Sequence, residues 1–173
     1  MESLSQQGQG VRWVVMGVCG CGKSTVGQSL AGALGVPYVE GDAFHPAANV
    51  GKMKAGLALD DEDRAGWLRA LREEIAAARA KGRGLVVGCS ALKRRYRDLL
   101  REGDPHLRFA HLQGERAVIE QRMRERPNHY MPTSLLDSQL RDLEPLQPDE
   151  AGTVLHIGAA PHELVARILD TAR

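Results

Sequence analysis

The chain has 173 residues, 43% of them hydrophobic and 26% charged, a length and balance that suit one soluble globular domain with a real core. Its formal net charge of +1 sets up no global field to recruit nucleic acid or an anionic membrane, so any anionic ligand has to be gathered by a local cluster. No apolar run is long enough to span a bilayer, and three cysteines are an odd, low count for a disulfide framework, so a reducing cytoplasm is the expected location.

Residues 1–10 are polar and rich in Gln, Gly and Ser, without the basic and apolar regions of a secretory signal. They are read as a disordered tail, which leaves 11–173 as a single domain. The run 11–16, "VRWVVM", is apolar and β-rich, and a glycine turn follows it. From Lys23, Thr25, Val26, Leu30 and Leu34 recur at helical spacing until Gly35 and Pro37 stop the helix. A short strand over 37–40 ends in Gly41-Asp42. Acidic residues over 60–63 open a long helix that closes at Gly82, with Trp67, Leu68, Leu71 and Ile75 at core spacing. Then come a buried-type strand over 85–89, a basic helix over 92–102 and a strand over 107–112. An Arg-rich helix over 115–126 and a helix over 133–143 precede a fifth strand over 153–157 and a last helix over 162–172. Strands that alternate with helices predict an α/β doubly wound domain, a five-stranded parallel sheet covered on both faces.

Gly17-x-x-x-x-Gly22-Lys23-Ser24 fits the phosphate-loop pattern, and it sits between a strand and a helix, where that pattern works. The fold type expected is therefore that of a P-loop NTPase or kinase. Gly17, Gly20 and Gly22 let backbone N–H groups wrap a phosphate at a helix N-terminus, with Cys19, Cys21 and Thr25 on the same nucleotide-binding turn. Lys23 can bridge the β- and γ-phosphates of ATP, and the Ser24 hydroxyl can ligate Mg²⁺. Cys19 and Cys21 fill variable positions, and a metal bound there would compete with the phosphate for one loop. A helix N-terminus beside a lysine lowers a thiol pKa, which makes Cys21 a candidate for oxidation.

The chain has no N-K-x-D guanine motif, and the D-x-x-G of Asp63–Gly66 falls at a helix start, not after a strand. The strand over 85–89 ends in Ser90, not in the acid of a Walker B strand. Asp42 is the acid expected at the carboxyl edge of the sheet, beside the phosphate loop, where it can accept a proton from an attacking hydroxyl.

Three further blocks carry a resemblance: "GDAFHPAANVGKMKAGLALDDEDRAGWL", "CSALKRRYRDLLR" and "RPNHYMPTSLLDSQLRDLEP". With the phosphate loop, they make the chain similar to the thermoresistant-type gluconokinases among the P-loop small-molecule kinases, over nearly the whole domain. The family often has Ser at the positions of Cys19 and Cys21 and Asp at that of Glu40. The resemblance implies ATP-dependent phosphorylation of D-gluconate at its 6-hydroxyl, with ATP and Mg²⁺ bound and with homodimers among relatives. It implies a lid over about 122–132 that closes on the nucleotide. Arg122 and Arg126, four apart on one helix face, are then the catalytic cations that steady the transferring phosphoryl group, while Arg124 points to solvent. Gluconate needs a cation for its carboxylate and hydrogen-bond partners for its hydroxyls. Asp42, His45, Lys52, Arg64, Ser90 and Arg97 are the residues expected to bind it. The alternatives are a kinase of another small hydroxy acid, in the manner of shikimate kinase, a nucleoside monophosphate kinase, and a nucleotide-dependent switch without acceptor turnover.

Overall fold

The computed structural model describes residues 10–125 and 133–171. Strand β1 (Arg12–Met16) is buried along its whole length, as a central strand of a parallel sheet must be. Its alternation sends Trp13 and Val15 to one face of the sheet and Val14 and Met16 to the other. After the glycine turn, α1 (Lys23–Leu34) buries Val26, Leu30 and Leu34 and stops on Gly35, in the left-handed conformation common at helix ends. Strand β2 (Tyr38–Glu40) runs into a 3₁₀ turn (Gly41–Phe44), and α2 (Ala47–Lys54) follows His45-Pro46.

Helix α3 (Asp61–Ala80) opens with a reciprocal cap, in which the Asp63 amide donates to the Asp60 side chain and the Asp60 amide to the Asp63 side chain. The D-x-x-G stretch thus lies within the first two turns of a capped helix. Strand β3 (Leu85–Gly88), α4 (Arg94–Arg101), β4 (Arg108–Gln113), α5 (Arg116–Glu125), α6 (Thr133–Asp142), β5 (Gly152–His156) and α7 (Pro161–Thr171) complete the chain. Among the described residues no helix is long and apolar enough to cross a membrane.

The five strands lie in the order β2-β3-β1-β4-β5, and every neighbouring pair is parallel. Helices α1, α5, α6 and α7 supply one core, and α3 and α4 the core of the other face. A parallel sheet points all its carboxyl ends the same way. The glycine turn, Glu40 with Asp42, and Ser90 leave β1, β2 and β3 at that shared edge.

Two short pieces lie outside the elements read from periodicity, the 3₁₀ turn and α2. Helix α2 buries a single residue, Asn49, so it has no apolar stripe for a periodicity to find. The basic helix also starts at Arg94, later than expected, because Ala91 takes the left-handed region with φ of 45°. Residues 1–9 of the expected tail over 1–10 lie outside the described residues. So do residues 126–132 of the expected lid, including Arg126 and the His129-Tyr130-Met131-Pro132 block.

Candidate active site

The loop from Gly17 to Ser24 is built for close approach. Gly17 and Gly20 have φ of 147° and 79°, a region costly for other residues. A Cβ on Gly17 would lie 2.7 Å from the Leu112 carbonyl, and one on Gly20 2.7 Å from Met123 Cγ. Lys23 Nζ donates to the Gly17 and Val18 carbonyls at 3.0 and 3.1 Å, which ties the ammonium to the mouth of its own loop. The Cys19 amide donates to Gln139 Oε1 on α6 at 2.7 Å.

The end of β2 brings acids to that loop. Ser24 Oγ donates to Glu40 Oε2 at 2.5 Å, and the Tyr38 hydroxyl donates to the same oxygen at 3.0 Å. Asp42 follows on the 3₁₀ turn, then His45, whose ring stacks on Trp67 with centroids 4.1 Å apart and an interplanar angle of 17°. Trp67 Nε1 donates to the Gly41 carbonyl at 2.8 Å and so fixes that turn to α3. Burial lowers the basicity of His45, the charge of Asp42 raises it and that of Arg64 lowers it, and the net shift is downward. Arg64 is buried, and its Nη1 donates to the Tyr96 hydroxyl at 2.8 Å and to Asp142 at 3.2 Å.

Two cavities meet on the glycine loop. The larger, about 780 Å³, is lined by Cys19, Lys23 and Ser24, by Glu40, Asp42 and His45, and by Arg64, Trp67 and Ser90, with Ser138 and Gln139 from α6. The smaller, about 300 Å³, is lined by Cys21, Thr25 and Arg122 and by Ala159, Pro161 and Leu164 around the start of α7. Gly20 and Gly22 line both. Arg122 Nη2 donates to the Ile157 carbonyl at 2.8 Å, which holds the guanidinium over that junction.

The structure thus gathers Asp42, His45, Arg64 and Ser90 in one cavity with the phosphate loop. It does not bring Lys52 and Arg97 there. Lys52 Nζ lies 2.9 Å from both carboxylate oxygens of Asp63 and lines neither cavity. Arg97 is fully buried and is occupied by Glu150 and by the Ala91, Leu92 and Pro145 carbonyls. Segments that start at the sheet edge point both residues toward the substrate, but both side chains are instead satisfied by protein acids.

The thiols also depart from expectation. Cys21 is 1% exposed and packs in the core under the loop, at the edge of the smaller cavity. Burial pushes the Cys19 thiol up to about 11 and the Cys89 thiol up to about 12. Neither is an activated thiolate.

Three lining or supporting residues, Gln139, Asn49 and Trp67, are not among the expected site residues, although all three fall in the blocks that carry the family resemblance. Trp67 has core spacing and does pack, yet it also lines the cavity. Gln139 lies 120 residues from its partner Cys19, beyond any local motif. Gln139→Glu keeps the acceptor for the Cys19 amide and adds a negative charge beside the loop. We expect it to unfold at the wild-type urea midpoint and to weaken ATP about tenfold or more through like-charge repulsion. Calorimetric titration checks this, and unchanged ATP affinity would mean that Gln139 lies away from the phosphates.

The chain can be set beside known proteins. A family profile described as AAA domain matches residues 13–146. The gluconokinase of Gluconobacter oxydans (strain 621H) is 45% identical over 166 residues, 93% of this chain and 90% of that one. The thermosensitive gluconokinase of Escherichia coli (strain K12) is 41% identical over 145 residues, 84% of this chain and 78% of that one. The crystal structure of a gluconokinase from Sinorhizobium meliloti 1021 superposes with a TM-score of 0.86 at 42% identity, covering 95% of this chain and 92% of that one. Identities above 40% across most of both chains, around a strand, glycine loop and helix of the phosphate-loop pattern, place this chain in the gluconokinase family of P-loop kinases.

Proposed function

We propose that the protein transfers the γ-phosphoryl group of ATP to the 6-hydroxyl of D-gluconate. The observation that carries this reading is the pair of cavities that share Gly20 and Gly22. A kinase needs two substrates to meet at one phosphate, and here the nucleotide side and the acceptor side abut on the phosphate loop. The larger cavity has the chemistry of a small acidic polyol site. Arg64 offers a buried cation for a carboxylate, and His45 and Ser90 offer hydrogen bonds to hydroxyls.

In the transfer, the acceptor oxygen bonds to the γ-phosphorus while the bond to the β-γ bridging oxygen breaks, and the hydroxyl proton passes to Asp42. Lys23 and the loop amides hold the phosphates, and Arg122 steadies the charge that develops on the transferred group. Little covalent chemistry is asked of the protein, so most of the rate comes from positioning and electrostatics.

The donor set suits a hard divalent cation. Ser24 Oγ donates its proton to Glu40 and keeps its lone pairs for an ion, and Asp42 lies in the same cavity. Ser24 would hold Mg²⁺, which neutralises charge on the phosphate oxygens when bound. Assembly as a homodimer, which rests on the family resemblance, and a cytoplasmic location, which rests on the low and odd cysteine count, belong to the same reading.

The test is ADP release from ATP and Mg²⁺, with D-gluconate, other aldonic acids, shikimate and nucleoside monophosphates supplied one at a time. Turnover with gluconate is expected. ATP binding without turnover on any acceptor would leave the fold and sink the gluconate assignment. Lys23→Ala should lower gluconate-dependent turnover by about 10³-fold while melting as a folded protein. Normal turnover in that variant would mean that phosphate is not held by this loop.

A further inference from the structure

His45 lines the acceptor cavity, and a histidine there could act in two opposite ways. It could present a bare ring nitrogen as a base, or an N–H as a donor. Which one it presents depends on the partner of the other nitrogen.

That partner is Asn49. Asn49 is 3% exposed, the single buried residue of α2. Its Nδ2 lies 2.8 Å from the Asp63 carbonyl oxygen and 3.2 Å from His45 Nδ1. A backbone carbonyl can only accept, so the amide edge that faces it must be the NH₂ group. The same NH₂ faces His45 Nδ1, so Nδ1 must be the acceptor and carry no proton. The ring's proton then resides on Nε2, which has no protein partner among the described residues.

Each member of this chain is held from behind. The Asp63 side chain is fixed by Lys52 and by the Asp60 amide, so the carbonyl that orients Asn49 belongs to a pinned helix start. The imidazole lies flat on Trp67, which is itself tied to Gly41, so the ring has one plane available. The charged groups around the ring are Asp42 on the 3₁₀ turn and Arg64 on α3, and burial outweighs the pull of Asp42, which favours the neutral ring.

We propose that Asn49 is a positioning residue that holds His45 as the neutral Nε2–H tautomer, so that His45 serves the acceptor cavity as a hydrogen-bond donor and not as a base. The identity of the accepting oxygen, a hydroxyl or carboxylate of gluconate, rests on the function proposed above; the tautomer does not. The device separates two tasks. His45 donates to a substrate oxygen without adding a charge beside Arg64, and proton removal is left to Asp42. It also gives the Lys52–Asp63 pair a role, as the anchor at the far end of the chain.

The experiment uses the full-length protein with ¹⁵N-labelled histidine. Nitrogen shifts at pH 8 should show the His45 Nδ1 as unprotonated and Nε2 as protonated. Asn49→Asp is nearly isosteric and can only accept, so it should move the proton to Nδ1 or charge the ring. It should also raise the gluconate KM about tenfold, with the ATP KM unchanged. Asn49→Ala covers the case where the aspartate variant fails to fold, and should leave a mixture of tautomers. Among His45 variants, His45→Gln places an amide N–H near the lost Nε2–H and should stay within about tenfold of wild-type kcat/KM, with His45→Asn at least tenfold lower again. An Nδ1–H tautomer or an imidazolium in the wild type would overturn the proposal outright, whatever the acceptor proves to be. An Nε2–H tautomer that persists unchanged in both Asn49 variants would overturn the role of Asn49. A correct tautomer in a protein whose His45 variants bind gluconate normally would overturn the donor's role and leave the kinase assignment standing.

Discussion

Replacing Glu150 by Ala is expected to cost about 3–5 kcal/mol of folding stability, because it strands a buried cation. Arg97 and Glu150 have fully buried side chains and meet in a two-pronged pair, Nε to Oε2 at 2.7 Å and Nη2 to Oε1 at 3.0 Å. Arg101 joins the same carboxylate at 2.5 Å. The rest of the Arg97 guanidinium is taken by the Ala91, Leu92 and Pro145 carbonyls, neutral acceptors that cannot balance its charge once the acid is lost. The Ala91 contact has a functional side. Ala91 is held at φ of 45°, an unfavourable region for a residue with a Cβ, directly after Ser90 in the acceptor cavity. Arg97 therefore acts on the substrate side only through the backbone it clamps. Urea unfolding checks the stability, and a wild-type midpoint in Glu150→Ala would show that the pair does not hold the domain. The pH dependence has a defined sign. Burial alone would raise the Glu150 carboxyl, but the hydrogen bonds from Arg97 and Arg101 outweigh it and hold the group below its ordinary value of 4.5. A lowered carboxyl stabilises the fold above about pH 4.5 and loses that contribution as pH falls through its folded value. Glu150→Gln should therefore lose stability mainly at neutral pH and converge on the wild type in acid.

What the sequence reveals follows the range of the interactions. The phosphate loop is written in eight consecutive residues, and α3 in the spacing of Trp67, Leu68, Leu71 and Ile75, so both are legible locally. Asp42 is legible for a topological reason, since an acid just past a parallel strand must emerge at the edge where ligands bind. Arg97 fails the same reasoning because its direction is decided by Glu150, 53 residues away, and no local pattern announces that pairing. Lys52 is misread for a shorter-range reason. Asp63 was visible as part of an acidic helix start, but its cap geometry, which turns the carboxylate toward Lys52, appears only when α2 and α3 are packed. Asn49 lies in the helix with no apolar stripe, so its burial could not be inferred from pattern at all.

Asp42→Asn is expected to lower kcat by about 10²–10⁴-fold while leaving the gluconate KM within a few-fold of wild type. The case rests on what the other groups in the cavity already do. Glu40 is its other acid, and it accepts from Ser24 and Tyr38. Lys23 is a cation held by two loop carbonyls. The bare nitrogen of His45 faces Asn49. Asp42 has its backbone carbonyl bound by the His45 amide at 3.2 Å, while its carboxylate has no hydrogen-bond partner among the described residues. It is thus the lining acid free to receive a proton. Phosphoryl transfer through a loose transition state draws the proton off late, however, so orientation of the hydroxyl can outweigh its deprotonation. The two contributions separate by substitution. Asparagine keeps an oxygen that can align the hydroxyl but cannot hold the proton, and Asp42→Ala keeps neither. If both variants fall together by 10²-fold or more, Asp42 acts as the base. If the asparagine variant stays within about tenfold of wild type and only the alanine variant collapses, Asp42 orients the acceptor and the proton leaves by way of phosphate or water.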